Sequence, residues 1–245
     1  LCQDGAPSML LVSLLTSSLT PGIRIQRVDA DSNLLFPANS QRLTKFMMEA
    51  TYGAVRPFSP AWAQRSVLDA TSNSDIFGRL AYYEEARAAG QPRGAIFAAE
   101  RESDGALCGF ADVGVSLWLP NDRAFRLPQD QDLRRLAATG VGTDGQRKPG
   151  VELRPYLSNL VVDASQRRSG VGRCLMEACE EYAAGLDPSA CSIAGASPAA
   201  GGQLWLEVTT TNSAGMGFYR ALGYTEVGAR TDGNEVQRGS DGGGF

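Results

Sequence analysis

The sequence predicts an α+β (mixed α/β) fold in a single domain, on three observations. Alternating and helix-periodic apolar runs interleave along the chain, and two long apolar runs joined by an Asp-Gly turn imply early antiparallel pairing. After residue 150, a strand, helix, strand series implies a late crossover. The chain has 245 residues, 43% apolar and 20% charged, enough for one sizeable core with long insertions.

Residues 1–21 are set apart as an extension. The chain starts at Leu1, as a fragment or processed product would. Met9 to Leu19 is an apolar run too short to span a bilayer, either a targeting remnant or a first strand or surface segment. Ile23 to Val28 alternates as a half-buried strand. Asn39 or Ser40 can cap a helix carrying Leu43, Phe46, Met47 and Ala50, and Ser72 or Ser74 can cap another carrying Ile76, Leu80 and Tyr83 before Gly90. Strands are expected at Ala95 to Glu102 and Leu107 to Leu119, flanking Ser103-Asp104-Gly105-Ala106.

Residues 120–150 are polar and Pro/Gly-containing, an insertion with a short helix around Asp132 to Ala138. Val151 to Asp163 reads as a strand in which Pro155 marks an irregularity or an unpaired backbone amide in the first half. A helix from about Gly170 carries Val171, Leu175, Ala178 and Tyr182 on one face and stops near Gly185. Residues 186–202 form a second loop insertion, rich in Ala, Gly, Ser and Pro. Leu204, Leu206 and Val208 then alternate as a strand, Asn212 to Arg220 is a helix, Tyr224 to Val227 a short strand, and 229–245 a Gly-rich tail.

Composition removes several kinds of chemistry. Histidine is absent, which excludes Ser-His-Asp and Cys-His nucleophilic sites, His-ligated zinc and an imidazole base. The 23 basic and 27 acidic side chains give a net charge of -4, and Lys45 and Lys148 are the only lysines. Nucleic acid is therefore not expected as a ligand. Five cysteines without a C-x-x-C pair support neither a zinc knuckle nor a disulfide framework, and no metal site is expected.

The most informative segment is Val161 to Arg173, a strand entering a two-glycine loop that opens a helix. Unpaired N–H groups in a helix's first turn, at the positive end of its dipole, make an anion site, and Arg167, Arg168 and Arg173 add charge there. A pyrophosphate fits; so does a plain glycine turn with solvated arginines. The phosphate loop G-x-x-x-x-G-K-[ST] is absent, and the dinucleotide fingerprint fails because Leu175 stands at the third glycine position.

Arg167-x-x-Gly170-x-Gly172, followed by Asn212-x-x-x-x-x-Phe218-Tyr219 and Gly223-Tyr224, resembles the GCN5-related N-acetyltransferase (GNAT) family over about residues 153–228. The resemblance implies an N-acetyltransferase domain over 22–228, with a twisted, mostly antiparallel sheet splayed at the cofactor strand. It implies acetyl-CoA as donor, held by Leu160, Val161 and Val162 through the main chain and by Arg167, Arg168, Ser169, Gly170, Val171, Gly172, Arg173 and Asn212. The lead-in Arg154 to Leu160 resembles the plastid and algal branch, implying a plastid stromal or cytoplasmic location.

The Leu206-Glu207-Val208 run followed by Asn212 and Tyr219 resembles protein N-terminal acetyltransferases, implying Glu207 as base and Tyr219 as acid; Glu152 is the second choice of base. The expected acceptor is a primary amine, preferably a protein or peptide α-amine or lysine. Because the usual last strand is missing from 229–245, an inactive acetyl-CoA-binding module is the alternative, with a small-molecule amine acetyltransferase as a third. No membrane partner is expected, and the oligomeric state is left open.

Overall fold

The computed structural model describes residues 20–30, 38–53, 60–119, 124–126, 152–186, 197–198 and 203–227. The expected helix at 132–138, most of both insertions, the extension before Thr20 and the tail beyond Val227 lie outside these residues.

Among the described residues, seven strands form one sheet: β1 (Ile23–Val28), β2 (Gly94–Arg101), β3 (Leu107–Leu119), β4 (Ala124–Arg126), β5 (Glu152–Val162), β6 (Ser197–Pro198) and β7 (Trp205–Leu206). The main path is β1-β2-β3-β5-β6, with β4 pairing β3 and β7 pairing β5. β1, β2, β3 and β5 are successively antiparallel, while β6 and β7 run parallel to β5. This is the mixed, mostly antiparallel sheet expected from the sequence.

The described helices are α1 (Ala38–Tyr52), α2 (Pro60–Ala88), α3 (Val171–Gly185) and α4 (Ser213–Ala221), with a single 3-10 turn at Ala164–Gln166. One core joins Leu43, Met47 and Met48 of α1 to Ile76, Leu80 and Tyr83 of α2, beneath Ile96, Phe110 and Val161 of the sheet. A second joins Ala95, Ala99, Ala111, Val113 and Leu157 to Val171, Leu175, Met176 and Cys179 of α3. Neighbouring β3 residues, Phe110 and Ala111, enter different cores, as the two-residue period of a strand requires.

Five expectations are corrected. No helix begins at Ser72 or Ser74, because α2 runs unbroken through both. The Thr71 hydroxyl donates back to the carbonyls of Val67 and Leu68 (3.1 and 3.0 Å), and the i,i+4 pair Asp75/Arg79 (2.9 Å) supports the helix past them. Asn39 does not cap α1, which already includes Ala38; its amide donates to the Asp29 carbonyl at 3.0 Å.

The irregularity in β5 is not at Pro155, which faces Val115 in regular register. On its other edge Pro155 falls between the residues that pair β6 and those that pair β7, so its missing N–H interrupts neither ladder. Finally, Tyr224 to Val227 form no strand. The Tyr224 amide turns back to the Tyr219 carbonyl (3.0 Å), and the Tyr224 hydroxyl donates to Glu180 of α3 (2.8 Å). These bonds hold the chain against the helices rather than the sheet. The strand read over Leu204 to Val208 shortens to Trp205–Leu206 because β5 offers partners only at Tyr156 and Leu157.

Candidate active site

Beyond that short pairing, β5 parts from its neighbour. Among the described residues, nothing pairs with this edge of β5 from Ser158 to Val162, while its other edge stays paired with β3 as far as Val162 opposite Gly109. Main-chain N–H and C=O groups along such an edge need partners, which an extended ligand can supply as a strand would. The chain then makes a 3-10 turn and enters α3.

Two left-handed residues shape the entry: Arg168 (φ 68°) and Gly170 (φ 98°), the N-cap of α3. Only glycine holds the second conformation without strain, and a Cβ on Gly170 would lie 2.5 Å from the Thr20 hydroxyl. Thr20 donates to the Ser169 carbonyl (3.2 Å), fastening the segment before β1 to this loop. The Asp163 carboxylate caps the 3-10 turn through the Ser165 amide (2.7 Å) and hydroxyl, and these bonds hold its pKa below the usual carboxylate value. Arg167, Arg168 and Arg173 are exposed around the helix start, and the Arg167 side chain donates to the Val162 carbonyl (3.4 Å). Gly170→Ala is expected to destabilise the chain by about 1–2 kcal/mol through the left-handed backbone, readable as a lower urea midpoint.

The other predicted residues divide by role. Val171 and Val161 are buried core side chains and can meet a ligand only by main chain. A Cβ on Gly172 would lie 3.3 Å from the Phe218 ring, so this glycine lets α4 pack against α3. Asn212 is the N-cap of α4, its side chain accepting from the Gly215 amide at 2.9 Å. That bond fixes which residue of the second motif begins the helix.

Capping and packing of α4 bring Tyr219 to the splay. Its ring meets Tyr224 edge-on (5.9 Å) and Phe218 (5.3 Å). Tyr219 and Glu207 line one cavity with Leu157, Ser158, Asn159, Leu160 and Leu206, at the place where β5 loses its partner. Glu207 is exposed, just past β7. Glu152 begins β5, at the opposite end of the strand from the unpaired edge.

Burial pushes the Tyr219 phenol up to about 12, with the Cys179 thiol nearby adding to it. The group is therefore protonated, and a hydrogen-bond donor, throughout the neutral range. Burial and the Glu180 carboxylate raise Tyr224, and burial raises Tyr83. A phenol raised above its unfolded pKa of 10.0 contributes stability present below that pH and lost as pH rises through the folded value. Spectrophotometric titration is expected to show three tyrosines ionising late, with stability falling from about pH 10 upward.

Sequence reasoning missed Ser158, Asn159 and Thr20. Ser158 lay within a run read as plain strand, and nothing local marks Thr20 as touching a loop 149 residues away. It also missed the buried Asp112, which accepts from Tyr83 (2.9 Å), Arg79 (3.0 Å) and Asn159 (3.5 Å). Burial pushes the Asp112 carboxyl up while the Arg79 charge opposes it.

Residues 131–226 match the family model of the acetyltransferase (GNAT) domain. The domain that this model describes is an acetyltransferase domain. No curated protein matches the chain. Solved structures similar to it include the aminoglycoside N-acetyltransferase AAC(6')-Iy in complex with CoA, at 14% identity, covering 87% of this chain and 94% of that one with a TM-score of 0.46. A GCN5-related N-acetyltransferase from Ralstonia eutropha is 18% identical, over 86% of this chain and 97% of its own, with a TM-score of 0.45. An integron cassette protein from the mobile metagenome of V. cholerae is 16% identical, over 90% and 98%, with a TM-score of 0.44. No helix among the described residues is long and apolar enough to cross a membrane.

Proposed function

We propose that the chain transfers an acetyl group from acetyl-CoA to a primary amine, preferably a protein or peptide α-amine or a lysine, by direct attack of the amine on the thioester. The observation that carries this reading is the meeting of Glu207 and Tyr219 in one cavity on the unpaired edge of β5. The residues present suit acetyl-CoA. The open edge from Ser158 to Val162 offers main-chain partners to its pantetheine arm. The start of α3, with Arg167, Arg168 and Arg173 exposed around it, offers amides and charge to its pyrophosphate. Ser169, Gly170, Val171 and Gly172 serve by main chain, and Asn212 by capping α4.

When bound, acetyl-CoA supplies the acetyl group as an activated thioester. Glu207 accepts a proton from the acceptor ammonium, directly or through a water, leaving the nitrogen lone pair free to attack. As the new C–N bond forms and the C–S bond breaks, Tyr219 donates its hydroxyl proton toward the departing sulfur. The proton released from nitrogen replaces it through solvent, so the products are an amide and a free thiol. An exposed Glu207 suits the first task because it must meet an acceptor arriving from water. A half-buried Tyr219 suits the second because burial keeps it protonated.

Mass spectrometry of acetyl transfer to α-amine peptides, lysine peptides, polyamines and aminoglycosides tests the reading. Transfer to peptides is the expected result; transfer confined to the small amines would replace the acceptor, and acetyl-CoA binding without any transfer would favour the inactive module. The plastid or algal affiliation rests on the Arg154 to Leu160 lead-in alone, and stromal localisation of a tagged chain would test it.

A further inference from the structure

Phe125 lies within the insertion at 120–150, and β4 carries it onto the sheet. There it meets Trp118 of β3 (ring centroids 4.9 Å apart), Tyr156 of β5 (4.4 Å) and Trp205 of β7 (6.2 Å), and Trp118 stacks with Trp205 at 6.3 Å. The Phe125 and Tyr156 rings join across β3, which lies between their strands. None of the four is among the residues of the two cores, and all four are half-buried.

This aromatic wall adjoins the cavity of Glu207 and Tyr219 on the side away from the coenzyme. Trp205 faces Tyr156 across the ladder and precedes Glu207 by two residues, the spacing that puts side chains on one face of an extended chain. Along β5, Arg154 and Tyr156 come before a bulge: Leu157 faces Val113 and Asn159 faces Asp112, so Ser158 between them has no partner on β3. The unpaired edge and the start of α3, which suit the pantetheine arm and the pyrophosphate, come after the bulge begins. With the coenzyme filling that end, an amine reaches Glu207 from the end where the rings stand.

The wall also limits what the amine can be attached to. The Arg154 guanidinium carbon lies 4.0 Å from the centre of the Trp205 ring and 5.2 Å from that of Trp118. The two indoles thus already hold a cation, and what the wall offers an acceptor is apolar ring surface. Resting on the acetyl-transfer reading above, we propose that Phe125, Tyr156 and Trp205 form the subsite for the side chain beside the acceptor amine, and that the preferred acceptor is the α-amine of a polypeptide whose first residue is large and apolar. Two residues of extended chain span about 7 Å, so a large first side chain whose α-nitrogen sits at Glu207 reaches the Trp205 ring. A lysine presents its amine at the end of a flexible stem, and a polyamine brings further ammonium groups to rings that already hold a cation, so both use the wall poorly.

The test measures kcat/KM, at saturating acetyl-CoA, for peptides that differ only in a first residue of Phe, Leu, Gly or Ser, for an N-terminally blocked lysine peptide and for spermidine. The Phe and Leu peptides are expected to exceed the Gly and Ser peptides about 10–100-fold, with the lysine peptide and spermidine below the Phe and Leu peptides. Trp205→Ala and Phe125→Ala are each expected to raise KM for the Phe peptide and to remove most of its advantage, while calorimetric acetyl-CoA affinity and the rate on the Gly peptide stay level. Trp205→Phe, which keeps a ring, is expected to restore most of the advantage.

Equal rates for large and small first residues, a preference for the lysine peptide or spermidine, or an advantage kept in both alanine variants would each overturn the subsite while leaving acetyl transfer intact. A loss shared equally by all the peptides would show a structural role for the rings and overturn it as well. If Trp205→Ala does not fold, Phe125→Ala, outside β7, decides by itself. If wild type acetylated no amine of the panel, the acetyl-transfer reading would fall first and this inference with it.

Discussion

Asp112→Ala is expected to destabilise the folded chain by about 3–5 kcal/mol and to lower its melting temperature by roughly 6–20 °C. Asp112 is 1% exposed and accepts from three side chains on two elements: Arg79 and Tyr83 of α2 and Asn159 of β5. Removing the carboxylate strands the Arg79 end that reaches inward and leaves the Tyr83 hydroxyl without its acceptor, and breaking one half of a buried pair costs more than the pair was worth. The backbone is cut to this contact. A Cβ on Gly94 would lie 2.1 Å from the Tyr83 ring, and one on Gly114 2.5 Å from its hydroxyl.

Tyr83→Phe, which leaves the ion pair in place, should cost less, about 1.5–3 kcal/mol for a hydrogen bond to a charged group. Urea and thermal unfolding measure both, and equal stability of wild type and Asp112→Ala would remove the network from the account of what holds α2 to the sheet. Because Asn159 flanks the bulge, Asp112→Ala is also expected to weaken acetyl-CoA binding beyond the loss of folded protein.

The second large effect is on turnover. Glu207→Gln is expected to lower kcat by about 10²–10⁴, the usual contribution of a positioned general base, with acetyl-CoA affinity unchanged, since Glu207 serves the acceptor rather than the coenzyme. Raising the pH should restore part of the rate as more of the acceptor amine becomes neutral by itself. Tyr219→Phe removes only the hydroxyl and leaves the ring packing against Phe218 and Tyr224. Its kcat is expected to fall by about 10² or more, and unlike Glu207→Gln it should not be rescued at high pH. Unchanged turnover in either variant, on an acceptor that wild type acetylates, would remove that residue from the chemistry.

Much of the fold was legible because its signals are local. Alternation marked Ile23 to Val28, the Asp-Gly turn marked the β2/β3 hairpin, and helical spacing marked α3 and α4. The helix at Pro60–Ala88 was cut short in the sequence because serines that cap helices elsewhere are tolerated inside one whose other turns pack on the sheet. The strand at Tyr224 to Val227 failed for the opposite reason: its residues suit a strand, but the Tyr224 contacts with Tyr219 and Glu180 hold them elsewhere.

By itself the sequence determined the mixed fold, the loop that opens α3 and the pairing of Glu207 with Tyr219 as candidates. Spacing, glycine and charge, each a property of neighbouring residues, sufficed for the fold and the loop, while the family resemblance of the Leu206-Glu207-Val208 run supplied the pair. Tertiary structure alone decided that β5 would bulge at Ser158, part from β7 beyond Leu157 and be pinned through Asn159 to a buried Asp112. Those features come from strands and helices far apart in the chain competing for the same hydrogen-bonding groups, and no local pattern records which of them wins.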